Sequence, residues 1–314
     1  MRYLFIILSL ILLIIAPFFG QINIDMSKIN DIFSMEHKLF WDLRVPRVIV
    51  AFFTGALLAL SGLIFQSLFR NPMSTPFTLG VASGATLGTA FAIVFGIVSF
   101  MALFGFIGAL FTIIILFGIT SRLKVYETST LLLIGIALSF FYSAALMILF
   151  YISDETQSYE IVRFTMGSLD VVGFKTVVPI VAVSITLLLL ALNYKREIKL
   201  LLTSYDNAFL KGIEVKRVNT ILLLGVSIAI GVAVSITGPI GFVGLIVPHI
   251  LKVIYKKSAD KLLYVTFFYG GIFLVFCDLI SRNLGTASDV PIGVVTSFLG
   301  APFFIYLLLR RKRV

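Results

Sequence analysis

RVPRVIVAFFTGALLALSGLIFQSLFRNPMSTPFTLGVASG, residues Arg44–Gly84, decides how the rest of the chain is read. Two arginines bracket a proline, an apolar run rich in Gly, Ala and Ser follows, and the run gives way to the polar turn Asn71-Pro72. As a helix, Val48–Leu68 would be roughly 30 Å long at 1.5 Å per residue, the thickness of a bilayer's hydrocarbon core. A charged collar, a membrane crossing and a polar hinge therefore share one short segment.

Composition extends this reading to the whole chain. Of 314 residues, 60% are hydrophobic and 13% charged, and the mean hydropathy is +1.10. Soluble domains carry about a quarter charged residues, so this chain cannot cover a soluble surface. Long unbroken apolar runs exclude a β-barrel, whose strands alternate in polarity. The expected class is an all-α polytopic membrane protein. Cys277 is the single cysteine, which rules out an intrachain disulfide, and in its apolar run it reads as a small core residue.

Apolar runs bounded by charges or turn residues fall near Leu4–Gly20, Val48–Leu68, Phe77–Phe100, Met101–Thr120, Ser129–Ile152, Thr176–Asn193, Val218–Gly238, Ile240–Tyr255, Leu262–Ser281 and Pro291–Leu309. These make about ten transmembrane helices in one membrane domain, residues 1–314. The third and fourth runs adjoin, and the eighth is short. No small-x-small cleavage site precedes Gln21, so the first run reads as an uncleaved span with Arg2 inside. An even number of spans puts both termini on one side, taken as cytoplasmic. The inner segments then hold 18 basic and five acidic residues, +13, and the outer segments seven basic and ten acidic, −3. This asymmetry follows the positive-inside rule, and clusters placed between apolar runs account for the net charge of +10 without nucleic acid.

Two connections are long. Gln21–Trp41, outside, is amphipathic through Ile22, Ile24, Met26, Ile29, Ile32 and Phe33. Asn193–Arg217, inside, has a helix-start signal at Thr203–Ser204, apolar Leu201, Leu202, Ala208 and Phe209, and Gly212 as a stop, which predicts a short helix on the inner membrane surface. The two halves also share an order of features. Arg44–Gly84 runs from charge through a small-residue span to a Pro/Gly hinge, and Glu214–Ile250 repeats this, ending in GPIGFVGLIVPHI. With ten spans the units have opposite orientation, an inverted repeat of the kind transporters use for alternating access.

The chemistry that is missing is also informative. No GxxxxGK[ST], HExxH or CxxC occurs, and the histidines, His37 and His249, lie in different segments. Nucleotide hydrolysis, a histidine metal site and a resident cofactor are not expected. Charge inside the spans is scarce. Asp278, four residues before Arg282, fits a helix ion pair and an ion-coupling site equally well. A chain with so few intramembrane charges points to an energy source outside itself.

RVPR, GALLALSGLIFQSLFRNPMSTPFTLGVASGA, GPIGFVGLIVPHI and DVPIGVVTSFLGAPFFIYLLLRR, in this order, resemble the FecCD family across essentially the whole chain. That family comprises the membrane permeases of ATP-driven importers for iron–siderophore complexes, haem and cobalamin. The resemblance implies a type II importer permease in a bacterial cytoplasmic membrane. Its implied partners are a second permease subunit, identical or related, two separate ATPase subunits, and an extracytoplasmic binding protein that delivers the ligand. The ligand is expected to be a ferric siderophore, of catecholate type by the form of SYDNAFLKGI, with a cobalamin or haem permease, or an ion-coupled secondary transporter, as the alternatives.

The resemblance also implies roles for residues. Arg44, Arg47 and Arg282 would be outer-face arginines that bind acidic residues on the binding protein, in conflict with the positive-inside rule and hence in need of a partner. Asn71, Met73, Thr128 and Ser129 would form an inner gate. Within an inner coupling loop at about 195–217, Tyr205, Asp206, Ala208, Phe209 and Gly212 would dock on the ATPase. Ser204 stands where many members have glycine.

Overall fold

The computed structural model describes residues 2–22, 24–122, 128–203, 208, 210–255, 259–284 and 289–311. Helices account for the regular structure among the described residues. The main ones are α1 (Arg2–Ile15), α2 (Val45–Leu68, continued at its N-terminus by the π-helical Lys38–Arg44 and the turn Met35–His37), α3 (Val81–Val94), α4 (Met101–Arg122), α5 (Thr128–Ile152), α6 (Glu155–Thr165), α7 (Val177–Asn193), α8 (Lys195–Thr203), α9 (Val215–Thr237), α10 (Val243–Tyr255), α11 (Ala259–Leu284) and α12 (Ile292–Arg311). Each of the ten apolar runs meets a helix. Five of these helices are long and apolar enough to cross a membrane, and α7 with α8 makes a sixth, bent by 68°. The shorter apolar helices lie in α1, α3, α10 and α12.

The opening stretch becomes the centre of the molecule. Every residue of α2 from Thr54 to Leu68 is buried, with α7, α8, α9, α10 and α11 packed around it. Its most apolar window is 83% buried, against 17% for α5, whose Leu133, Phe140, Phe141, Met147 and Ile148 face outward as a lipid-facing side would. The small residues make the close approaches possible. A Cβ on Gly244 would come within 2.7 Å of the Leu58 carbonyl oxygen, and one on Gly270 within 2.6 Å of that of Gly55. Lipid is as apolar as the helices it surrounds, so packing of this kind replaces the hydrophobic drive between spans.

The same contacts give the sense of each helix. Gly55 meets Gly270 and Arg47 meets Asp278, so α11 runs antiparallel to α2. Gly62 meets Gly244 and Gln66 meets Lys252, so α10 runs parallel to α2. α9 ends where α2 begins, because the Ser168 N–H donates to the Thr237 carbonyl two residues from Asp170, a partner of Arg47. α3 and α9 both run antiparallel to α4, through Gly84–Gly108 and Gly105–Ser235. The pair α2–α3 is thus opposite in sense to α9–α10, as an inverted repeat requires.

Both units break between their helices. After α2, Arg70 takes a positive φ of 47°, a 3-10 turn covers Pro76–Leu79, and Gly80 at φ 76° opens α3. After α9, Gly238 (φ 67°) and Phe242 (φ 66°) form the turn into α10. These breaks explain why the third run holds a helix of 14 residues and the eighth one of 13. The third and fourth runs separate at Gly96 and the turn Val98–Phe100. Two features went unread in the sequence. One is α6, whose N-terminus is closed by a capping box between Asp154 and Gln157. The other is α8, which ends at Thr203 and buries Ile198 and Leu201 in the core; the helix start expected at Thr203–Ser204 runs into residues outside the described ones.

Candidate functional site

Five polypeptide segments bring charge together at one end of the bundle, and Arg47 meets the carboxylates of three of the others. From the first turn of α2 its Nε donates to Asp278 Oδ1 at 2.8 Å, across to α11. Its Nη1 donates to Asp289 Oδ2, before α12, at 2.5 Å and to Asp170 Oδ1, after α6, at 3.2 Å. The other Asp170 oxygen accepts from Arg163 Nη2 on α6 at 2.6 Å. Asp278 is fully buried and also has Arg282 Nε 3.0 Å from its Oδ2, out of line for a hydrogen bond. The helix ion pair Asp278–Arg282 is therefore real, but it lies inside the protein and is shared with α2.

Arg44 and Arg282 face inward, which departs from the expectation of exposed guanidinium forks. They are only 8% and 4% exposed. Arg44 donates to the carbonyls of Pro17, Phe18 and Ile22, and Arg282 to those of Ala16 and Phe19. The reason is local. α1 ends in a short 3-10 turn, Ala16–Phe18, whose carbonyls have no helical partner, and cations at a helix C-terminus satisfy and stabilise them. Charged groups that reach the surface of the cluster are instead Arg163, Asp170 and, in part, Asp289. Nothing in the sequence marks these three as one group; only the contacts of Asp170 and Asp289 with Arg47, and of Arg163 with Asp170, identify them.

Two cavities open beside the cluster. One of about 530 Å³ is lined by Arg47, Tyr159, Arg163, Asp170 and Asp289, and one of about 290 Å³ by Leu39, Arg44, Arg47 and Asp170. Partial burial works against the Asp170 carboxylate, but hydrogen bonding to Ser168 and the charges of Arg47 and Arg163 outweigh it and lower its pKa below the usual carboxylate value. An arginine that meets three carboxylates from three segments ties those segments together, and its partly exposed members can exchange one charged partner for another.

At the opposite end, Lys252 Nζ donates to Gln66 Oε1 at 2.9 Å, and Gln66 Nε2 to the Gly244 carbonyl at 3.2 Å, joining α10 to the last turns of α2. Asn71 accepts the Met73 N–H at 2.9 Å in a tight turn. Met73 is exposed and lines an apolar cavity of about 300 Å³ with Leu58, Phe77 and Phe242, so the hinges of the two repeat units meet there. Thr128 and Ser129 begin α5, and their side chains lie outside the described residues, as do Tyr205, Asp206 and Phe209. Ala208 is buried in the core, and Gly212, at φ 78°, adopts the left-handed backbone suited to a stop.

Comparison with known proteins places this arrangement in context. The FecCD transport family model matches residues 7–310. The vitamin B12 import system permease protein BtuC of Vibrio vulnificus is 34% identical over 98% of this chain and 93% of its own length. The hemin transport system permease protein HmuU of Yersinia pestis is 35% identical over 87% of this chain and 84% of its own. A solved ABC transporter assigned to the metal-chelate type, in an inward-facing conformation, superposes with a TM-score of 0.84 at 29% identity, covering 97% of each chain.

Proposed function

The chain belongs to the FecCD transport family of ABC-importer permeases, and we propose that the ligand it moves is a ferric siderophore. The observation that carries this reading is the whole-chain likeness to a transporter assigned to the metal-chelate type. A Helicobacter pylori relative named "Probable iron chelatin transport system permease protein", 34% identical over 91% of this chain, supports it. Cobalamin or haem is the second reading, favoured by the B12 and hemin names of the other relatives. The chain itself is a transport component and not an enzyme, so the ligand crosses with no bond changed.

In this reading the Arg47 end faces outward and both termini lie in the cytoplasm of a bacterium. The permease pairs with a second permease subunit, two ATPase subunits dock inside, and a binding protein delivers the ligand from outside. Arg44 and Arg282 set the height of the docking face by holding the end of α1, while Arg47, with Arg163, Asp170 and Asp289, meets the partner's charges. Asn71 and Met73, with Thr128 and Ser129, form the inner gate. Tyr205, Asp206, Ala208, Phe209 and Gly212 transmit nucleotide-driven closure of the ATPase to α8 and hence to α2, against which α8 packs.

The test is uptake into proteoliposomes that contain this permease, its ATPase and the binding protein. Ferric siderophore should accumulate only with ATP, should persist when an ionophore collapses ion gradients, and should not be displaced by excess cobalamin or hemin. Uptake without ATP would overturn the importer mechanism; uptake of cobalamin or hemin alone would overturn only the ligand.

A further inference from the structure

Within the segment that joins α1 to α2, residues 24–37 are amphipathic and have no role in the scheme above. It is firmly built. Backbone N–H groups of Lys28, Asp31 and Ser34 donate to the carbonyls of Asp25, Lys28 and Asp31 at 3.1, 3.1 and 2.9 Å, closing three successive turns. The Ser34 hydroxyl reaches the Lys28 and Asp31 carbonyls at 2.8 and 2.7 Å and accepts the His37 N–H at 3.0 Å. His37 Nδ1 meets the carbonyl of Ile29 at 2.7 Å, and the Ile29 side chain is buried. The base is held by Arg44 and by Phe40, whose ring lies tilted against Phe18 at 5.0 Å and edge-on to Trp41 at 5.2 Å.

This stiff loop nevertheless turns its largest apolar side chains outward. Phe33 is 95% exposed, and Ile32, Met35 and Met26 are also exposed. The hydrogen bonds that hold the turns prevent these side chains from folding inward, so an apolar surrounding has to come from elsewhere.

Two observations identify that surrounding as lipid. The outward apolar side of α1, with Ile7, Ile11 and Ile14, runs on along the chain through exposed Phe18, Phe19 and Ile22 into Met26, so a surface that faces acyl chains continues into the loop. Exposed Trp41 stands beside this path, and Trp is enriched where a membrane protein crosses the headgroup level. Charge does not draw the loop to an anionic surface. Asp25, Asp31, Glu36 and Asp42 outnumber Lys28 and Lys38. Contact by apolar insertion is what remains.

We propose that residues 26–35 form an interfacial membrane anchor, with Ile32, Phe33 and Met35 seated at the headgroup–acyl boundary on the Arg47 side of the bilayer. The anchor holds the Arg44 base, and with it the mouth beside the Arg47 cluster, at a fixed height above the hydrocarbon.

Trp41 is the single tryptophan, which makes a clean fluorescence test available. In the full-length permease carrying Trp41→Phe and Phe33→Trp, reconstituted in phosphatidylcholine, emission should be blue-shifted. Bromines placed high on the acyl chains should quench most of it, and bromines deep in the bilayer little. Added phosphatidylglycerol should change neither result. Emission at the wavelength of water-exposed tryptophan, or a blue shift without bromine quenching, would overturn the proposal; the second result would mean that protein covers the tip. Phe33→Cys in a Cys277→Ala background provides an independent reading, free of the native thiol that unfolding would expose. Its thiol should react with a membrane-impermeant maleimide several-fold more slowly in bilayers than in the urea-unfolded chain, and equal rates would also overturn the proposal.

Discussion

Replacing Arg47 with methionine removes the cation shared by Asp278, Asp289 and Asp170 and keeps much of the side chain's apolar stem. Asp278 dominates the expected cost. It is fully buried, and removing one partner of a buried ion pair costs about 3–5 kcal/mol. Asp170 keeps Arg163, and both Asp170 and Asp289 reach solvent, so each adds about 0–1 kcal/mol. Arg282 remains 3.0 Å from Asp278 and offsets part of the loss, which places the prediction at the low end, about 3 kcal/mol. Asp278→Asn alone should also destabilise, because it leaves Arg47 and Arg282 without their buried counter-charge. If the two residues act through one bond, Arg47→Met with Asp278→Asn should cost less than the sum of the singles by about 2 kcal/mol, well outside the roughly 0.5 kcal/mol scatter of independent sites. The assay is reversible unfolding by SDS in mixed micelles for wild type, both singles and the double variant. Additive losses, or an Arg47→Met penalty below about 1 kcal/mol, would refute the assignment of Arg47 as the tie between α2 and α11.

Two further perturbations test other parts of the fold. Gly62→Ala should destabilise by about 1–3 kcal/mol in the same unfolding assay, because the new Cβ meets the backbone of Gly244 where no flexible side chain can give way; a neutral result would mean that α2 and α10 are not in contact there. Asp170 has a pKa lowered in the folded protein, so its contribution is complete above the unfolded value of about 3.9 and is lost as pH falls through the lower folded value. The stability margin of wild type over Asp170→Asn, followed by denaturant unfolding, should accordingly be flat from pH 8 to 5 and shrink below about 4; a margin that grows on acidification would contradict the sign.

Much of this architecture is set by local chemistry and was readable before any coordinate. Unbroken apolar runs can satisfy their backbone in a membrane only as helices, so their number and charge asymmetry give the ten spans. The small residues at Gly55, Gly62 and Gly244 mark close helix contacts, and Pro72, Gly80, Gly238 and Pro239 mark the breaks, because these residue types restrict or free the backbone on their own. Arg44–Gly84 could therefore be picked out as the organising stretch, and α2 is indeed the helix around which the others pack. What the sequence could not give is which charges meet. Arg47 lies 231 residues from Asp278 and 242 from Asp289, and nothing local distinguishes an arginine aimed at a partner protein from one aimed at a distant turn of its own chain. Arg44 and Arg282 look alike in sequence to outer-face docking residues, yet in the fold their guanidinium groups satisfy carbonyls left at the end of α1. Pairing across the bundle is decided by tertiary packing, since an ion's partner is set by distance and desolvation once the helices have assembled, and neither quantity is written in the order of residues.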